Sequence, residues 1–151
     1  MSEHEQIQIR ETSHLPFRYS AGRYGSRFLE ALREGRILAS KCRACGFVLV
    51  PPRIACANCY GPMEEFVEVG PQGTLATFTQ VAFPFIDPET GQMRPVPYTY
   101  GMIRLDGARN TFQYFLEEKD VTKLRTGLRV IPVFRDSREG SLRDLLFFRR
   151  S

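Results

Sequence analysis

Cys42-Arg43-Ala44-Cys45 and Cys56-Ala57-Asn58-Cys59 stand ten residues apart, with Pro51-Pro52-Arg53 between them, and hold all four cysteines of the 151-residue chain. Two residues between thiols let one tight turn aim both sulfurs at the same point. Two such turns can enclose a metal tetrahedrally, the ligand spacing of a four-cysteine zinc ribbon. Gly46 and Gly61 closely follow the pairs, and glycine there admits positive φ and brings backbone N–H groups near the sulfurs. Lys41, Arg43 and Arg53 lie close enough in sequence to offset the negative charge of a zinc tetrathiolate. The rival readings are two disulfides or a thioredoxin-like redox pair. No apolar leader precedes the cysteines, which argues against an oxidising compartment. A redox pair calls for a βαβ context and leaves the second pair unexplained. Cys42, Cys45, Cys56 and Cys59 are therefore the candidate ligands of a structural Zn2+, with no position left open for water.

Around the first knuckle the pattern is that of a hairpin. Ile37–Lys41 reads as the strand entering it and Phe47–Val50 as the strand returning, ended by Pro51 and Pro52, which cannot donate to a ladder. Upstream, Tyr24–Arg36 has helical periodicity, with Phe28, Leu29 and Leu32 on one face, Ser26 as the expected N-cap and Gly35 at the C′ position. From Phe66 onward the period becomes that of strands. After the Gly70–Gly73 turn, the expected strands are Thr74–Phe83, Tyr98–Leu105, Asn110–Leu116, Leu128–Phe134 and Leu142–Phe148. Tyr98, Tyr100, Met102 and Arg104 share a face of the second, and Asp106-Gly107 turns it into the third. A short helical or irregular link spans Glu117–Arg125. Five strands with one short link fit an OB-fold barrel, with a meander sandwich as the alternative. The expected fold is mainly β: a flexible N-terminus (1–16), a helix and four-cysteine zinc-ribbon module (17–65), and a five-stranded OB-fold domain (66–151).

Composition is that of an ordinary globular chain, 42% hydrophobic and 25% charged. No apolar run approaches the roughly 18 residues of a membrane span, so a cytoplasmic protein without a membrane partner is expected. The net charge of +4 rests on arginine, because Lys41, Lys119 and Lys123 are the only lysines. Arginine suits bidentate contact with phosphate or carboxylate. Interspersed Asp and Glu mean that the charge permits an anionic ligand without identifying one. Residues 84–97 carry four prolines and Gly91 without a strand pattern, which suggests a stiff surface loop and a candidate partner or ligand contact. No catalytic residue is assigned. His4 and His14, the only histidines, lie in the N-terminal segment, and the thiols are committed to metal. Gly70-Pro71-Gln72-Gly73 lacks the lysine of a phosphate loop, and no carboxylate pair sits in a context for acid–base work. A binding or scaffolding role is favoured.

Several stretches together resemble the DUF35 proteins over about residues 17–148. They are Tyr19–Gly22, Phe28-Leu29, Leu32, Gly35–Leu38, the cysteine pairs flanking Pro51-Pro52-Arg53, Gly70-x-x-Gly73, Phe78-Thr79, Pro97-Tyr98, Leu105–Gly107 and Leu124-x-x-Gly127-x-x-Val130. The cysteines with Pro-Pro-Arg are the most specific part. Ala57 is a departure, since many relatives place proline after the third cysteine. The resemblance implies a rubredoxin-like zinc ribbon, an OB-fold and association with acyl-CoA enzymes. It implies a non-catalytic subunit in a hetero-oligomer with a thiolase or a hydroxymethylglutaryl-CoA-synthase-like enzyme, whose thiolase-fold chain supplies the nucleophilic cysteine. Related modules accompany enoyl-CoA-hydratase-like partners in steroid side-chain degradation, and an aromatic-degradation role of the benzylsuccinyl-CoA-thiolase type is one extension.

A coenzyme A thioester is the ligand this implies. Arginines on barrel loops would hold its phosphates, and its pantetheine arm would need an apolar groove, for which Phe83, Phe85 and Tyr98–Tyr100 are candidates unless they fill the barrel core. The alternative is a nucleic-acid-binding module, since zinc ribbons and OB-folds also serve single-strand recognition. Positive charge and aromatic strands favour it; interspersed acids and scarce lysine oppose it. An independent acyl-CoA hydrolase or transferase is opposed by the sparse catalytic inventory.

Overall fold

The computed structural model describes residues 19–87 and 91–151. The expected flexible segment 1–16, with His4 and His14, lies outside the described residues, as do Phe17, Arg18 and positions 88–90.

Helix α1 spans Gly22–Arg33 and buries Phe28, Ala31 and Leu32, with Gly35 (φ +74°) ending it as expected. Its start corrects the sequence reading. The N-cap is Ala21, and Ser26 lies inside the helix; the hydroxyl at this end belongs to Ser20, which accepts the Gly22 N–H at 3.1 Å. Glycines at 22 and 25 obscured the first turn, because glycine is a poor helix former.

Strand β1 (Ile37–Lys41) is the centre of a three-stranded antiparallel sheet between β2 (Val48–Leu49) and β3 (Glu65–Val69). β3 runs in register with β1 from Ile37↔Val69 to Lys41↔Glu65. β4 (Gly73–Val81), β5 (Tyr98–Leu105), β6 (Phe112–Leu116), β7 (Arg129–Phe134) and β8 (Leu145–Arg150) then close a barrel in the order β4-β5-β6-β8-β7. β4 pairs back to β7 at Gly73↔Val130, and no edge of the barrel is left open.

On β5, Thr99, Gly101, Ile103 and Leu105 are buried, and Tyr98, Tyr100, Met102 and Arg104 face outward. Gly101 is required there. A Cβ would lie 2.7 Å from Leu75 Cδ1 and 3.0 Å from Leu116 Cδ2, so only a bare backbone lets those leucines meet across the barrel.

Leu142–Asp144 is a 3-10 turn and not the start of the last strand. The cause is a buried acid. The Asp144 carboxylate accepts N–H groups from Glu139 (3.0 Å), Gly140 (2.7 Å) and Ser141 (3.1 Å), wrapping the chain around itself. Burial pushes this carboxyl up, but the N–H groups of Glu139, Ser141 and Gly140 outweigh burial and, with Arg135 nearby, hold it below the usual carboxylate range.

The ribbon and the barrel share one core. Phe28, Leu32, Ile37, Val50 and Val69 are continuous with Leu75, Ile103, Phe112, Leu116 and Phe148, and the Phe28 and Phe112 rings meet edge to face at 6.2 Å. A polar clamp reinforces the junction: Asn110 accepts the Val50 N–H at 3.0 Å and donates to the Val50 carbonyl at 2.6 Å. Arg138 Nε donates to the Arg33 carbonyl at the end of α1, at 2.8 Å. Among the described residues, no helix is long and apolar enough to cross a membrane.

Two predictions follow from these buried polar groups. Asn110→Ala strands both polar groups of the fully buried Val50 and should cost about 1–3 kcal/mol in denaturant unfolding. Asp144 has a depressed folded-state pKa, so its contribution is complete above the unfolded value of about 3.9 and is lost as pH falls through the folded one. Asp144→Asn should therefore lower stability at pH 7 and flatten its pH dependence below about pH 4; equal slopes for both proteins would contradict this.

Candidate metal centre and neighbouring surfaces

Each cysteine pair is shaped by the same two backbone hydrogen bonds. In the first knuckle, Gly46 N–H donates to the Cys42 carbonyl (2.8 Å) and Cys42 N–H to the Phe47 carbonyl (2.9 Å). In the second, Tyr60 N–H donates to the Cys56 carbonyl (3.0 Å) and Cys56 N–H to the Gly61 carbonyl (2.9 Å). The fourth residue after each leading cysteine turns left-handed: Gly46 at φ +70° and Tyr60 at φ +60°. The positive φ of the second knuckle thus falls on Tyr60, not on Gly61. For a side-chain-bearing residue this costs on the order of 1 kcal/mol, and Tyr60 extends into solvent at 85% exposure. Matching the spacing from Cys42 to Gly46 would have located it.

The structure brings all four predicted ligands together. Cys42 and Cys59 sulfurs are 3.5 Å apart, as are those of Cys45 and Cys56, and all four lie within 4.8 Å of one another. A zinc–sulfur bond of about 2.3 Å gives a tetrahedron with edges of about 3.8 Å, so this donor set fits zinc. All four are free thiols, and 3.5 Å is far beyond the disulfide bond of about 2.05 Å. The leading cysteines, Cys42 and Cys56, are buried with Leu49 and Met63; Cys45 and Cys59 are exposed.

The sulfurs are electrostatically unequal without a cation. The Phe47 N–H, with Asn58, lowers the Cys45 thiol to about 6. At Cys59 the Gly61 N–H also lowers it, but the Cys42 and Cys45 sulfurs prevail and push it up to about 12. Four such groups ionise together only around a cation. Two of the three expected compensating side chains pair with acids: Lys41 lies 3.7 Å from Glu65 and Arg43 lies 3.9 Å from Glu64. Arg53 contributes a backbone N–H to Ser40 Oγ at 2.8 Å.

Residues flanking positions 88–90 form a hairpin instead of a patternless loop. Ile86 bridges Met93, Asp87 N–H donates to the Gln92 carbonyl at 2.8 Å and Arg94 N–H to the Phe85 carbonyl at 2.9 Å. Arg94 pairs with Asp87 at 2.8 Å and lies 4.3 Å from the Phe115 ring centroid and 5.7 Å from that of Tyr98. The Phe85 and Tyr98 rings are 6.2 Å apart, and those of Tyr100 and Phe115 are 4.8 Å apart. Phe85, Tyr98 and Tyr100 therefore do not fill the barrel core; they pin the hairpin to the barrel's outer face. Phe83 (71% exposed), Ile86 (64%) and Met93 (56%) remain largely in solvent. A cleft of about 530 Å³ lies elsewhere, beside Leu116, Leu124 and Phe148.

A four-thiol ribbon sharing its core with a five-stranded barrel defines a zinc-ribbon/OB-fold protein. Residues 29–64 match the family model of the ChsH2 rubredoxin-like zinc ribbon domain, and residues 66–135 match that of the ChsH2 C-terminal OB-fold domain. The chain belongs to the DUF35 family. Among solved structures it is similar to one described as an Ltp2–ChsH2(DUF35) aldolase, at 21% identity and TM-score 0.66, over 88% of this chain and 98% of that one. It is also similar to a DUF35 protein of unknown function from Sulfolobus solfataricus, at 21% identity and TM-score 0.62, over 86% and 87% of the two chains. At such identity the likeness is one of fold. A search of curated proteins gives no significant match.

The purified chain is expected to carry about one zinc ion. Chelation, or Cys45→Ser, should release it and abolish amide-exchange protection in β1 and β2. Undiminished protection after complete metal removal would contradict the assignment.

Proposed function

We propose that this chain is a non-catalytic subunit of a heteromeric enzyme acting on acyl-CoA thioesters, with Cys42, Cys45, Cys56 and Cys59 holding a structural zinc ion. The observation that carries this reading is the closed donor set: all four thiols converge on one point. Bound zinc would cross-link the two knuckles, and four sulfur ligands leave no coordination position for water or substrate. The thiols are thereby withdrawn from nucleophilic chemistry. The partner is a thiolase-fold chain that supplies the reactive cysteine, as the family resemblance implies. The structure named as an Ltp2–ChsH2(DUF35) aldolase supports a partnered subunit. We place the complex in the cytoplasm and in a degradation pathway, of which an aromatic one is an instance. The division into a ribbon module (17–65) and an OB domain (66–151) belongs to the same proposal.

Phe83, Ile86 and Met93 supply the partner contact. They are apolar and exposed, on a hairpin stiffened by the Asp87–Arg94 pair and by Arg94 stacking on Phe115. Stiffness of this kind lowers the entropy lost on association. Against nucleic acid, four arginines are drawn into ion pairs: Arg36 with Glu34 and Glu68, Arg43 with Glu64, Arg94 with Asp87 and Arg129 with Asp106. Each such pair interrupts a basic track of the kind that single strands follow.

Affinity isolation of the tagged chain from its native host should recover an acyl-CoA enzyme with a thiolase fold. The triple change Phe83→Asp, Ile86→Asp, Met93→Asp should weaken that complex at least about tenfold, leaving the fold intact by circular dichroism. The isolated chain should not turn over acyl-CoA. Turnover by the chain alone, or oligonucleotide binding at physiological salt without any enzyme partner, would overturn the proposal.

A further inference from the structure

Tyr60 holds a strained backbone conformation that no side-chain contact among the described residues explains. It is the one residue other than glycine with positive φ among them (+60°). It stands at the spacing from Cys56 that Gly46 has from Cys42. Glycine adopts this conformation freely, whereas a bulky side chain there is an outlier. The Tyr60 ring is 85% exposed, more than any other large apolar side chain among the described residues. Within those residues it has no ring contact, ion pair or hydrogen bond from its hydroxyl. Strain that nothing inside the chain offsets is a mark of functional positions.

The surroundings fit a protein partner. Ile54, 70% exposed, is the second large apolar group here. Its carbonyl accepts the Met63 N–H at 2.9 Å and Ala55 bridges Pro62, which ties it to the chain leaving Tyr60. The hydrogen bonds of the second knuckle fix the backbone from which the ring projects, so little entropy is lost on its capture. Charges of both signs lie nearby: the exposed Arg43 and Glu64 pair at 3.9 Å, and Arg53 adjoins Ile54 in sequence. An apolar centre with a polar rim is the anatomy of a protein interface, and tyrosine is a frequent anchor. A polyanion finds no basic track here. Between positions 41 and 65, Lys41, Arg43 and Arg53 stand against Glu64 and Glu65, and a zinc tetrathiolate would add further negative charge.

This surface is distinct from the hairpin. The hairpin joins β5 at Tyr98. Just past the other end of β5, the Asp106 carbonyl accepts the Gly70 N–H at 2.9 Å, and β3 leads from Val69 back to Glu65, opposite Lys41 and beside the knuckles. Hairpin and second knuckle therefore lie toward opposite ends of β5.

We propose that Tyr60, flanked by Ile54, anchors a second docking surface and enters an apolar socket on a protein chain of the complex. This rests on the subunit reading above and adds a contact to it.

The probe is the thiolase-fold enzyme recovered with the tagged chain, purified and titrated against the full zinc-loaded chain. Tyr60→Gly and Tyr60→Asn both suit a left-handed backbone, and each should weaken the complex about tenfold or more. Relief of strain offsets the greater unfolded-state freedom of glycine, so Tyr60→Gly should unfold no more than about 2 °C below the parent chain. Hydroxyl-radical footprinting should label Tyr60 in the free chain and spare it in the complex. Unchanged affinity in both variants, or a ring labelled equally in the complex, overturns this proposal while the subunit reading stands. Failure to recover any such enzyme overturns both. A larger loss of thermal stability in Tyr60→Gly would assign the ring to the chain's own fold. Tyr60-dependent binding to phosphatidylserine vesicles would assign it to a membrane, and either result also overturns the proposal.

Discussion

Four sulfurs packed within 4.8 Å of one another set the terms for the N-terminal half of this protein. Without a cation they cannot all ionise, as the opposed pressures on Cys45 and Cys59 show. Apart from the cysteines, the buried apolar residues clustered with them are Leu49 and Met63, with Phe47 partly buried against them. An apolar cluster that small contributes only a few kcal/mol, too little to hold two turns of which one carries a left-handed tyrosine. A zinc ion held by the four sulfurs would supply the missing cross-link. The same ligand count that makes the ion an effective staple makes it a poor catalyst, because no coordination position is free.

The other face of the ribbon sheet depends on the barrel. Val50 is held by Asn110, the Phe28 ring meets Phe112, and Arg138 reaches back to the end of α1. Ribbon and barrel therefore present their surfaces as one body. The surfaces differ in character. Phe83, Ile86 and Met93 project apolar side chains beside the stiff Asp87–Arg94 pair, whereas a cleft opens at the β6–β8 seam.

Much of this was legible in the sequence because the signals were strong and local. The spacing of Cys42, Cys45, Cys56 and Cys59 located the cluster, and alternation on β5 gave the strand its limits and its two faces. Signals that depended on context misled. Ser26 has the right chemistry for an N-cap, but the helix starts earlier, beside Ser20. Leu142 looks like strand, yet Asp144 draws its neighbours into a turn that no periodicity reveals. Proline density hid the Ile86–Met93 bridge, and the stacking of Arg94 on Phe115 joins residues 21 positions apart. The cleft was invisible for the same reason: it arises from what the Glu117–Leu128 link fails to cover, and its walls come from three separate stretches of chain.

X-ray absorption at the zinc edge of the full-length chain tests the account most directly, because its central claim is a closed four-sulfur shell. It predicts four sulfur neighbours at about 2.3 Å and no nitrogen or oxygen scatterer, unchanged when an acyl-CoA is added. A shell with a light-atom ligand, or one that changes on adding the thioester, would contradict it and place the metal in the chemistry.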